Sequence, residues 1–123
     1  PLFTNYEFIN TGLAENSAIH DYGRFRITKN ENDSFKFKVP SLRNIAFTYP
    51  YMHDGRYASL KDVLKFYTTI HTFQKNTDIR LQKPMPISAN EQVDIISFLL
   101  CLSDNKFIFN SKHTYPKNIL KNQ

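Results

Sequence analysis

The chain is predicted to be mostly α-helical, with two main helices separated by long ordered loops, and three observations predict it. Ser59 is followed three residues later by Asp62, and Ser88 by Glu91. In such a capping box the serine hydroxyl and the acid each satisfy a backbone amide at a helix start. Behind each serine the apolar residues recur on one helical face: Leu60, Val63, Leu64 and Tyr67 in the first segment, and Val93, Ile96 and Leu100 in the second. Between them, Ile70 to Pro86 is polar, holds Pro84 and Pro86, and has no period, so it reads as a long loop.

In chain order, Leu2 to Asn10 alternates loosely and reads as a short extended segment ending in a turn at Gly12. Asp21-Tyr22-Gly23-Arg24 is a second turn. Arg24 to Thr28 and Ser34 to Val39 both alternate, with the turn formers Lys29 to Asp33 between them. They read either as a small β-ribbon or as a pair of extended loops. Pro40 and Pro50 bias Val39 and Tyr49 toward extended backbone. Ser41 to Asn44 is expected to form one short helical turn, and Thr48-Tyr49-Pro50 to be extended, with the carbonyls of Thr48 and Pro50 pointing the same way. His53-Asp54-Gly55 is a turn in which Gly55 is free to take positive φ. A helix follows over 59–69, and its apolar stripe ends in the phenol of Tyr67. A second helix spans 88–102, where Phe98, Leu99 and Leu102 widen the apolar surface, so its last turns are expected to be buried on more than one side. From Asn105 no period is visible. The expected division is a domain over 1–105 and a basic tail over 106–123.

A length of 123 residues fits one domain. Aromatic residues make up 15% of the chain, eleven Phe and seven Tyr without a Trp, which suits a bulky core or the lining of a large flat cofactor. No run approaches the ~18 apolar residues of a membrane span. The net charge is +5, scattered except from Lys106 to Gln123, where four lysines stand with no acid. That stretch reads as a solvated tail or as a surface for an acidic protein, and no nucleic-acid motif accompanies it. Cys101 is the single cysteine. It lies in the run Phe98 to Leu102, so a buried, inert thiol is expected, and one cysteine can form neither an internal disulfide nor a C-x-x-C-H haem attachment. The chain starts at Pro1, as a trimmed or excised piece would. The histidines His20, His53, His71 and His113 do not pair at helical spacing, so a helix-borne zinc site is unsupported. There is no phosphate-binding glycine loop and no hydrolase constellation.

The central stretch carries more. Phe37-Lys38-Val39-Pro40-Ser41-Leu42-Arg43-Asn44, then Thr48-Tyr49-Pro50-Tyr51-Met52-His53-Asp54-Gly55-Arg56, then the helix from Leu60 to Tyr67, resembles the C-terminal haem domain of the bacterial di-haem cytochrome c peroxidases and their MauG-like relatives. Phe3-Thr4-Asn5, Asn10-Thr11-Gly12, Asp21-x-Gly23-Arg24 and the helix 88–102 follow in the family's order, so the resemblance covers about residues 2 to 105. It implies a cytochrome c-like fold and a periplasmic oxidoreductase with two haem c groups, driven by hydrogen peroxide and served by a small redox protein or other protein electron donor. It also implies a calcium ion held by backbone carbonyls matching Thr48 and Pro50, although a plain extended loop is the simpler reading of that pair.

His53 matches a histidine near the haem and the domain interface, in a hydrogen-bonding rather than an iron-ligating role. Fourteen positions after it, where ordinary peroxidases of the family place a methionine iron ligand, stands Tyr67, the MauG-like choice. A phenolate is a hard anionic ligand that favours ferric and higher iron. Met52 is the runner-up ligand, and a core tyrosine on an amphipathic helix is the plain alternative for Tyr67. Arg24, Arg43 and Arg56 are candidates for haem propionates, for the domain interface, or for solvent-facing charge. The family's C-x-x-C-H segment lies just before the part matching Phe3-Thr4-Asn5. The resemblance therefore implies that the chain as given lacks tethered haem, the attachment segment and the N-terminal haem domain, and is inactive alone. The competing expectation is a haem-free interaction or structural module that keeps the scaffold.

Overall fold

The computed structural model describes residues 2–69 and 74–113. Its elements in chain order are β1 (Phe8–Ile9), α1 (Phe25–Thr28), β2 (Phe37–Lys38), α2 (Leu60–Thr68), α3 (Ala89–Cys101) and α4 (Asn105–Ile108), with 3-10 turns at Glu31–Asp33, Ile45–Phe47, Ile79–Leu81 and Ser111–His113. The fold is mostly helical with one two-stranded antiparallel sheet, as expected.

The two main helices start where the sequence places them. The Ser59 hydroxyl accepts from the Asp62 amide at 3.2 Å and donates to the Asp62 carboxylate at 2.6 Å. The Ser88 hydroxyl accepts from the Glu91 amide at 3.3 Å, while the Glu91 carboxylate accepts from the Ser88 amide at 2.8 Å, a complete capping box. α2 buries Leu60, Leu64 and Phe66, which with Leu13, Leu81 and Leu99 form the buried apolar core among the described residues. Each such side chain taken out of water contributes about 1.5–3 kcal/mol.

The β structure differs from expectation. Arg24 to Thr28 is not a strand: Phe25–Thr28 is one helical turn, closed by Lys29 in the left-handed conformation, whose amide donates to the Phe25 carbonyl. Five alternating residues fit either period, and the local bonds of the turn decide. Phe37–Lys38 does form a strand, but its partner is the N-terminal segment, with Phe8 opposite Lys38 and Ile9 opposite Phe37. Gly23 joins this edge through a bridge to Lys36. A Cβ at Gly23, where φ is +60°, would stand 2.5 Å from the Lys36 carbonyl oxygen, so only glycine admits the approach.

The central loop differs too. The helical turn expected over 41–44 lies instead at Ile45–Phe47, because Asn44 takes a left-handed conformation (φ 60°) that a helix excludes. Thr48 is not extended (φ −107°, ψ 23°), since it closes that turn, and the Tyr49–Pro50 peptide is cis.

α3 carries the largest correction. Leu99 is its buried residue, while Val93 is 62% and Phe98 52% exposed, and Leu100 and Cys101 are also exposed. The thiol expected to be buried faces out because the segments packed on α3, α2 and the Ile45–Phe47 turn, cover its Leu99 side. The loop expected over 70–86 contains the turn Ile79–Leu81, and the stretch from Asn105 begins with α4 rather than as an irregular tail. Residues 70–73, with His71, and 114–123 of the basic stretch lie outside the described residues.

Candidate functional site

The site region is built on the loop between β2 and α2. Tyr51 and Tyr57 pair across it, the Tyr51 amide donating to the Tyr57 carbonyl at 2.7 Å and the Tyr57 amide donating back at 3.4 Å. The pair closes a hairpin that presents Met52, His53, Asp54, Gly55 and Arg56. Gly55 has the positive φ its turn requires (68°), and a Cβ there would press on the Pro50 ring at 3.0 Å. Arg56 grips Asp54 through Nε at 2.8 Å and Nη2 at 2.5 Å. The same Nη2 donates to the Ala14 carbonyl at 2.7 Å, tying the hairpin to the N-terminal segment. The Asp54 carboxyl is 1% exposed. Burial alone would raise its pKa, but the bonds and charge of Arg56 outweigh burial and hold it below the usual carboxylate value.

His53 stacks flat on Phe37, with ring centroids 3.8 Å apart and planes 13° apart. The residue as a whole is exposed, yet cover on the ring pushes its pKa down; the charges of Asp54 and Asp21 oppose that shift and Arg56 adds to it. Met52, half-buried, sits in the same hairpin with φ 70°. Thr48 and Pro50 are exposed just before it, and the Thr48 hydroxyl donates to the Ile45 carbonyl at 3.2 Å.

Tyr67 lies in the last turn of α2, on a different element from Met52. Its ring meets Phe66 edge-on, with centroids 5.1 Å apart, and its carbonyl accepts from the Met85 amide at 2.8 Å. The residue is half-buried, burial pushes its phenol above the usual tyrosine value, and its hydroxyl has no hydrogen-bond partner among the described residues.

The arginines lie in three places. Arg56 belongs to the hairpin. Arg43 approaches Asp104 at 3.9 Å beyond the end of α3. Beside it, Asn44 donates from its amide to the Leu102 carbonyl at 3.0 Å and accepts at Oδ1 from the Asp104 amide at 2.6 Å. Arg24 pairs with Asp33 at 3.3 Å and covers the Phe8 ring at 4.5 Å. Among the described residues no cluster of three His, Cys, Asp or Glu side chains is placed to hold a metal ion.

Two further features rest on partners that no local sequence pattern connects. Asn10, 2% exposed, donates to Gln74 at 2.7 Å and Asn76 at 2.8 Å and accepts from the Gly12 amide at 2.8 Å. The Asn10-Thr11-Gly12 turn was visible in sequence, but its partners more than sixty residues away were not. Arg80 bridges Asp78 and Glu7, both at 2.8 Å, and its bonds hold the Asp78 carboxyl at about 2. An open polar groove of about 690 Å³ lies beside it, with Arg24, Lys36 and Arg80 already engaged by Asp33, Asp78 and Glu7.

No family model matches the chain. It is 35% identical over 114 residues to the cytochrome-c peroxidase IdrP1 of Pseudomonas sp. (strain SCT), a match covering 90% of this chain and 30% of that protein. It is 35% identical over 96 residues to the cytochrome c551 peroxidase of Nitrosomonas europaea, covering 78% and 25%. The methylamine utilization protein MauG of Paracoccus denitrificans is 39% identical over 77 residues, covering 53% and 20%. Among solved structures, a MauG-like protein associated with microbial copper homeostasis superposes with a TM-score of 0.75 at 32% identity, over 89% of this chain and 36% of that one. The chain thus spans less than a third of the length of these curated relatives. A shared fold accompanies that identity, and the chain belongs to the family of bacterial cytochrome c peroxidases and MauG proteins.

Proposed function

We propose that this chain forms the C-terminal part of a c-type haem domain in a periplasmic di-haem peroxidase of the MauG-like kind, with Tyr67 as the distal iron ligand. The observation that carries the reading is the half-buried Tyr67 hydroxyl, which has no hydrogen-bond partner among the described residues and ends the apolar face of α2. That oxygen fits a ferric ion, whose charge offsets the burial that raises the phenol's pKa. The haem would supply redox chemistry for the two-electron reduction of hydrogen peroxide to water, and one-electron exchange with the second haem and a protein donor.

The chain's own residues set the conditions for that chemistry. Leu60 and Leu64 keep water from the helix face beneath the phenol. The Met85 amide anchors the Tyr67 carbonyl, which fixes the backbone that carries the ring. Arg56, locked by Asp54 and Ala14, holds the hairpin bearing His53 and Met52, with His53 in a hydrogen-bonding role and Met52 as the competing ligand. Arg24 and Arg43 supply positive charge for propionates or for the other haem domain. The carbonyls of Thr48 and Pro50, exposed at the rim, would hold calcium together with oxygens from that domain. The chain alone would be inactive, since it contains no C-x-x-C-H.

The test is the ferric absorption spectrum of this chain joined to a C-x-x-C-H haem-attachment segment, wild type against Tyr67→Phe. A phenolate-to-iron band that disappears in the variant is the expected result. Identical spectra would remove Tyr67 as ligand and make Met52→Ala the next variant. The exposed apolar side of α3 supports a second reading, a haem-free interaction module. Failure of both proteins to take up haem would favour it.

A further inference from the structure

The residues after α3 are not used by the haem-domain reading. Phe107 is 54% exposed and Phe109 72% exposed, and Phe109 meets the exposed Phe47 edge-on at 5.8 Å. Lys106 and Lys112 flank these rings, and neither makes an ion pair among the described residues. The nearby Asp104 is turned toward Arg43. In sequence, no acid occurs from Asn105 onward, and Lys117 and Lys121 continue the positive charge.

We propose that this patch docks the protein on an anionic phospholipid surface, with Phe107 and Phe109 entering the headgroup layer and Lys106 and Lys112 over the phosphates. Exposed apolar rings rimmed by charge mark an interaction site. Protein interfaces favour arginine and are depleted in lysine, whereas every Lys or Arg from position 106 onward here is lysine. One sign of charge interleaved with aromatic side chains instead matches a lipid sheet, which asks only for positive charge and apolar wedges. Lysine without arginine beside exposed phenylalanines therefore favours lipid over an acidic protein. The proposal goes beyond the haem reading and stands without it.

The experiment is co-sedimentation of the 123-residue chain with vesicles of phosphatidylcholine alone and of mixed phosphatidylcholine and phosphatidylglycerol, at low and physiological salt. Binding to the mixed vesicles, weakening with salt and by about fivefold for each of Lys106→Gln and Lys112→Gln, is expected. Because the chain has no Trp, Phe109→Trp gives a single probe. Its emission should shift to the blue with mixed vesicles and stay unchanged with neutral ones. Equal binding to both vesicle types overturns the proposal. So does retention on immobilised polyglutamate without vesicle binding, which would assign the patch to an acidic protein.

Discussion

α2 and α3 begin in the same way and end up in different surroundings. Both are capped by a serine with an acid three residues on, and both carry apolar residues at helical spacing. Yet α2 buries Leu60, Leu64 and Phe66, whereas α3 buries Leu99 and leaves Val93, Phe98 and Leu100 in contact with solvent. Capping is a local exchange between residues three apart, so sequence decides it. Burial depends on what else the chain brings to that face, and here the cover reaches one side of α3.

The comparison can be tested most strongly through apolar truncation. Leu64→Ala should cost about 2–5 kcal/mol in urea unfolding, because it removes buried methyl groups and leaves a cavity. Val93→Ala, at an exposed position of α3, should stay within about 0.5 kcal/mol. Comparable losses at the two positions would mean that α3 is covered in solution.

The caps should behave alike despite the difference in burial. Ser59→Ala and Ser88→Ala should each cost about 1 kcal/mol, read by the same unfolding curves. A loss at Ser59 alone would indicate that the isolated start of α3 is frayed.

Acid should separate the helices by the smallest margin. The amide and hydroxyl of Ser88 both donate to the Glu91 carboxylate, at 2.8 and 2.7 Å, and these bonds lower its pKa. A depressed folded-state pKa stabilises above the unfolded value of about 4.3 and loses that contribution as pH falls below it. Helicity of α3, followed by amide hydrogen exchange, should therefore weaken slightly below that pH, and Glu91→Gln should remove the dependence. An unchanged acid response in Glu91→Gln would place its source elsewhere.

What the sequence made legible follows the same division. The two caps, the Gly55 turn and the α2 stripe rest on neighbours a few residues apart, and all appear in the structure. Arg24 to Thr28 misled because a five-residue alternation fits one helical turn as well as a strand. The β1–β2 pairing stayed hidden because Phe8 and Lys38 are thirty residues apart and each strand is too short to show a period. Cys101 misled for another reason: an apolar run marks a helix that could be buried, not one that has found its cover. For the site, the family resemblance, and not spacing alone, pointed to Tyr67, His53 and Arg56 as candidates. The Arg56–Ala14 bond and the Met85–Tyr67 bond, which hold their backbones, join segments that no local pattern connects.

Asn44 has a consequence for the order in which this molecule can be assembled. Its amide and side-chain oxygen fasten the central loop to Leu102 and Asp104, closing a ring of about sixty residues that contains both α2 and α3. On a ribosome the loop is made long before its fastener. The Asn44 amide and Oδ1 lack these partners until Leu102 and Asp104 have emerged, so this closure comes late in synthesis. Chains halted before that point would have a capped α2 beside an open loop.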